Sequence, residues 1–119
     1  MKKTVVLGAT DNPSRFAYRA VHKLKQYGHD VVPVGIRKGD VAGIKIDTER
    51  NPVQNVDTVT LYVGPQNQPS WYDYILNLKP NRIIFNPGTE NPELEKLAAE
   101  QNIKTLHHCT LVMLAVGEY

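Results

Sequence analysis

Gly8-Ala9-Thr10-Asp11-Asn12-Pro13-Ser14-Arg15 joins an apolar run, Thr4-Val5-Val6-Leu7, to the first helical pattern of the chain. A strand-turn-helix joint presents unpaired backbone N–H groups and the positive end of a helix dipole, and both favour an anion such as pyrophosphate. Gly8, Ala9, Thr10, Asn12, Pro13, Ser14 and Arg15 are therefore the first candidate binding residues. Gly8 permits the tight turn, Thr10, Asn12 and Ser14 bring short hydrogen-bonding side chains, and Arg15 adds a fixed positive charge. Asp11 would repel an anion and is expected to face solvent or cap the helix. The plain alternative is a helix cap with no ligand.

The loop is neither G-x-G-x-x-G, since only the first glycine is present, nor a Walker A loop, since no G-K-[ST] follows. An NAD-binding domain places Asp or Glu at the end of its second strand to hold the ribose hydroxyls. This chain has Gly35-Ile36-Arg37-Lys38 there. Two cations in place of a carboxylate favour a phosphorylated ribose, as in NADP or coenzyme A; the alternative is a pair of solvated loop charges.

His107, His108 and Cys109 have the atoms of a metal site or a nucleophile with its base. Adjacent strand residues point to opposite faces, so they are not expected to converge on an ion. Cys109 is expected to be a buried thiol, since a reactive one needs an electropositive, partly open setting. Glu90 has no assigned role, and no paired groups for acid–base or covalent catalysis stand out.

The elements that position these residues alternate. Thr4 to Leu7 reads as a buried parallel strand. Asn12 as cap and Pro13 as first helical residue predict a helix of about four turns, with Phe16, Ala20, Leu24 and Tyr27 on one side and Gly28 as the stop. Asp30 to Gly35 is a second strand, with Pro33 expected near its end. Lys38 to Val56 reads as a connection with at most a small extra element around Ile44-Lys45-Ile46. Asp57 to Val63 is a third strand, followed by a long helix carrying Trp71, Tyr74, Ile75 and Leu78. Trp71, Tyr72 and Tyr74 suit a core stripe or a homodimer surface.

Arg82 to Phe85 is the fourth strand, and Asn91-Pro92-Glu93 opens a helix that buries Leu94, Leu97 and Ala98. Lys104 to His107 is the fifth strand, and Leu111 to Val116 a closing helix or strand. This order predicts an α/β fold: a three-layer, Rossmann-like, doubly wound parallel sheet of about five strands. Its ligand crevice would lie beyond the strands' carboxyl ends, among the loops Gly8 to Arg15, Gly35 to Gly39, Gly64-Pro65 and Asn86 to Glu90.

At 119 residues a single domain over residues 1–119 is expected. No apolar run is long enough to span a bilayer. The first strand begins directly behind Met1-Lys2-Lys3, which leaves no room for a cleavable leader, and the lone Cys109 suits a reducing compartment; a cytoplasmic location is expected. Fourteen Lys and Arg against twelve Asp and Glu, both dispersed, argue against nucleic acid as a partner.

Val5 to Arg15, Gly28 to Gly35, Asn86 to Glu90 and Cys109-Thr110-Leu111 together resemble the small stand-alone CoA-binding proteins. These are similar in turn to the CoA-binding domain of the succinyl-CoA synthetase alpha subunit. Two stretches differ from many relatives: Gly35-Ile36 stands where they carry Asn-Pro, and the fourth loop lacks their Trp-x-Gln-x-Gly. The resemblance implies that the opening turn takes the coenzyme's phosphates through Gly8, Thr10, Asn12, Pro13, Ser14 and Arg15. It implies that Val34, Gly35, Arg37 and Lys38 meet the adenosine part. It also implies contacts from Tyr62, Val63 and Gly64 and from Asn86, Pro87, Gly88 and Thr89. The expected function is a non-catalytic module binding CoA or an acyl-CoA, with no metal; the alternative is an NADP-dependent reductase or another nucleotide-cofactor enzyme.

Overall fold

The computed structural model describes residues 1–119, built around the strand β1 (Thr4–Leu7), in which all four residues are buried. The chain continues through α1 (Phe16–Gln26), β2 (Val31–Val34), a small hairpin of β3 (Asp40–Val41) and β4 (Ile44–Lys45), and β5 (Thr58–Leu61). Two 3₁₀ turns, Pro65–Asn67 and Pro69–Trp71, lead into α2 (Tyr72–Asn77), and β6 (Arg82–Phe85), α3 (Pro92–Glu100), β7 (Lys104–His107) and α4 (Thr110–Ala115) follow.

Five strands form one sheet in the order β2-β1-β5-β6-β7, every neighbouring pair parallel. The chain steps outward from β1 to β2, then returns across β1 to β5. Strand order therefore reverses between β1 and β5, and the crevice of such a sheet opens at the carboxyl ends of that pair.

Side-chain alternation along the strands separates two apolar layers. Val5, Leu7, Val59, Leu61, Ile83 and Phe85 pack with Trp71, Ile75, Leu94 and Ala98 on one face. Val6 and Val31 pack with Ala17, Val21, Leu24 and Leu114 on the other. The result is a three-layer, Rossmann-like α/β fold. No helix is long and apolar enough to cross a membrane.

Four local expectations are corrected. α1 begins at Phe16 rather than Pro13, because the Asn12 Oδ1 accepts from the Ser14 N–H at 3.0 Å and from the Ser14 hydroxyl at 2.8 Å. These local bonds compete with the helix and delay its first turn. The buried stripe is Ala17, Ala20, Val21 and Leu24, and it leaves Phe16 64% and Tyr27 45% exposed. The third strand spans only Thr58–Leu61, and the long helix after it is a six-residue α2 preceded by 3₁₀ turns. Pro69 lacks an N–H donor and clashes with a preceding helical turn, so the turn opened at Pro65 cannot continue through it and a new one starts there. Trp71 and Ile75 are buried there, and Tyr72 and Tyr74 pack against the same core.

Candidate functional site

A cleft of about 1010 Å³ opens at the carboxyl ends of β1 and β5. Its tightness is set by two glycines. Gly8 has φ +97°, and a Cβ there would stand 3.0 Å from the Tyr62 carbonyl carbon, so β1 and β5 turn outward in near contact. A Cβ on Gly35 would lie 2.5 Å from the Ala9 carbonyl oxygen. The first and second loops thus meet backbone to backbone.

The Gly8 and Ala9 N–H groups both donate to the Val34 carbonyl at 2.9 Å and are not free for a ligand. The available donors come one turn later. Arg15 occupies the cap position of α1 with φ −91° and ψ 146°, its side chain makes no capping bond, and the first turn carries no acid. The N–H groups of Phe16, Ala17 and Tyr18 consequently have no partner within the chain. Arg15, Phe16 and Ala17 all line the cleft.

Of the residues singled out from the sequence, Gly8, Ala9, Thr10, Arg15, Gly35, Arg37, Tyr62, Val63, Gly64, Pro87, Gly88 and Thr89 line it together. Six others do not. Asn12 and Ser14 close their own exposed turn, and Pro13 lines a separate groove with Tyr18 and Leu111. Val34 is wholly buried and contributes its carbonyl rather than its side chain. Lys38 lies off the cleft wall that Arg37 forms. Asn86 is buried: its amide donates to Thr60 Oγ1 at 2.7 Å and the Leu61 carbonyl at 2.8 Å, while its Oδ1 accepts from the Thr110 N–H at 2.9 Å. It ties β5, β6 and the start of α4 together beneath the site.

Gln68 plays a similar part, and nothing in the sequence reading singled it out. Wholly buried, it donates to the carbonyls of Val63 and Thr89 at 2.8 Å each and accepts from the Asn91 amide at 2.9 Å. One side chain thereby clasps the third and fourth loops. Gln66, Asn67, Ser70, Trp71 and Arg50 also line the cleft. The available signal for the first four was the pair Pro65 and Pro69, which breaks the expected helix into loop-like turns at a strand's carboxyl end; Arg50 sits in a polar linker with no signal.

Arg15, Arg37 and Arg50 are the charged residues of the cleft, and none is paired with a carboxylate. Burial pushes the Tyr62 phenol far above its ordinary value, so it stays neutral, and its hydroxyl lacks a partner. Asp11 faces solvent against Gly39, and Glu90 accepts from the Gly88 N–H at 2.9 Å, which holds the fourth loop. His107 pairs with Glu95 at 3.0 Å. Cys109 is half-buried rather than enclosed, because it sits at the exposed end of β7 just before α4.

A wide cleft of unpaired arginines above free helical amides suits a ligand bearing several phosphates. A solved structure of an uncharacterized protein is 55% identical and superposes with a TM-score of 0.98, covering 100% of this chain and 98% of that one. A hypothetical protein from Pyrococcus horikoshii OT3 is 25% identical with a TM-score of 0.85, covering 93% of this chain and 80% of that one. A structure from Thermus thermophilus, 24% identical over 99% of this chain and 90% of that one, shares the fold with a TM-score of 0.87. No curated protein matched the chain. Every strand of the sheet and every loop at its carboxyl edge falls within residues 2–115, the span that matches the family model of the CoA binding domain, and the chain belongs to that family.

Proposed function

We propose that this chain is a non-catalytic binding module for coenzyme A, free or as an acyl thioester. The observation that carries the reading is the cleft's charge: three arginines and the open first turn of α1, with no Asp or Glu in the lining. CoA brings a pyrophosphate and a ribose phosphate, and a site with no counter-charge of its own lets such a ligand neutralise it. Arg15 and the Phe16 and Ala17 amides would hold the pyrophosphate, and Arg37 the ribose phosphate. The cleft's volume, about 1010 Å³, lies at the large end of small-molecule sites, as an extended cofactor requires.

Support for a binding rather than a catalytic role comes from the lining itself. It has no His, Cys, Lys or carboxylate, so its hydroxyls on Thr10, Tyr62, Ser70 and Thr89 have no base among the lining residues. Thermal denaturation with CoA, dephospho-CoA, NADP and NAD tests the reading. CoA is expected to raise Tm most, since a ligand at about 100 times its Kd adds about 2.7 kcal/mol. Arg37→Ala should weaken CoA more than dephospho-CoA. Stabilisation by NADP with none by CoA would instead favour the reductase.

A further inference from the structure

Arg50 is supplied to the cleft by the linker between β4 and β5, and its position is built rather than incidental. Its backbone adopts φ +53°, a left-handed conformation that is costly for a long side chain. Asp47 holds it there: its carboxylate accepts from the Glu49 N–H at 2.8 Å and the Asn51 N–H at 3.2 Å. The Asp47 backbone is in turn bonded to the end of β2, donating to the Pro33 carbonyl at 2.9 Å and accepting from the Gly35 N–H at 3.0 Å. The turn is anchored to the second loop of the site.

From that turn the guanidinium reaches Trp71, with its central carbon 3.6 Å from the ring centroid, and donates to the Ser70 carbonyl at 2.5 Å. Trp71 is only 4% exposed, whereas Arg50 is exposed. The indole therefore backs the cation, which is itself part of the cleft lining. No carboxylate competes for it.

We propose that Arg50 is the stacking platform for the heteroaromatic base of an adenine nucleotide, held flat by Trp71; the inference rests on the CoA reading only for which nucleotide that is. Guanidinium planes stack on aromatic rings and on nucleobases alike. The chemistry around Arg50 differs from that at the start of α1. Ser70 and Trp71, which touch Arg50, are neutral, and Gln66 and Asn67 of the same cleft lining offer donors and acceptors suited to a base edge. The free amides and Arg15 belong to a different element of the lining, the start of α1. A base stacked on Arg50 with its phosphates toward Arg15 uses both regions at once.

Calorimetric titration of wild type, Arg50→Lys and Arg50→Ala with CoA, ADP and inorganic pyrophosphate tests this. Lysine keeps the charge and removes the plane, so both variants should lose about 10-fold in affinity for CoA and ADP. Pyrophosphate, which has no base, should change much less. Trp71 is the sole tryptophan, and its emission should shift when wild type binds ADP. Arg50→Lys binding ADP like wild type, pyrophosphate weakened as much as ADP, or unchanged Trp71 emission at saturation would each overturn the assignment. Binding of ADP without CoA, with loss in both variants, would sustain Arg50 and remove the CoA reading. Binding of CoA unaltered by either variant would do the reverse, and binding of neither ligand would end both.

Discussion

A methyl group on Gly35 would meet the Ala9 carbonyl oxygen at 2.5 Å, well inside van der Waals contact, and a backbone atom cannot rotate away. Either β2 or the first loop must move, and overpacking of this kind costs about 1–3 kcal/mol. Gly39 offers the matching control. A Cβ there would meet Asp11 Oδ2 at 2.8 Å, which can turn aside, and Asp11 Cβ at 3.1 Å, which needs only a shift of a few tenths of an ångström at an exposed residue. Gly35→Ala should therefore lower Tm by several degrees and weaken CoA binding, whereas Gly39→Ala should leave both near wild type. Equal melting curves for the two variants would show that the contact between the loops does not shape the cleft.

Two helices of this chain start in opposite ways, and the contrast separates stability from function. α3 has a complete start: Asn91 Oδ1 accepts from the Glu93 and Leu94 N–H groups at 3.1 and 3.3 Å, Pro92 follows, and Glu93 and Glu95 face the dipole. α1 has Arg15 in cap geometry, with no side-chain acceptor and no acid in its first turn. A helix selected for stability alone would carry Asp, Asn or Ser at that position. Arg15→Asp should supply the missing cap, adding about 1 kcal/mol and a few degrees of Tm. The same change puts a negative charge in the anion seat and should reduce CoA affinity at least about tenfold. Tm and affinity rising together, or neither changing, would mean that α1 does not hold phosphate.

On the scale of the whole molecule, the parallel order was legible because Val5 to Leu7 and Ile83 to Phe85 are apolar runs buried on both faces, and because Asn91-Pro92-Glu93 marks its helix unambiguously. The start of α1 was not, since Asn12 caps a turn as readily as a helix and only the Ser14 bonds decide between them. Twelve of the site positions share one cleft because loop position along the sheet is a topological property. Arg50 and Gln68 were invisible because their roles depend on partners 21 residues away, Trp71 and Thr89, which local patterns do not encode. The amino end of the sheet, remote from the cleft, carries its own consequence. There the Lys2 N–H donates to His29 Nδ1 at 3.1 Å, a bond that requires the neutral imidazole. Burial, and then the charges of Lys2 and Arg82, lower the His29 pKa from 6.5. Because the folded value is the lower one, the unfolded chain takes up the proton first. The stability this group contributes is complete above pH 6.5 and is lost as pH falls from there through the folded value. Asp57, whose hydrogen bonds from Thr58 and Asn81 outweigh burial and lower it from 3.8, acts only at still more acid pH. Between about pH 7.5 and about pH 5 the Tm of wild type should therefore fall further than that of His29→Asn, which retains an acceptor and does not titrate. Parallel pH profiles for the two proteins would rule out His29 as the source of that slope.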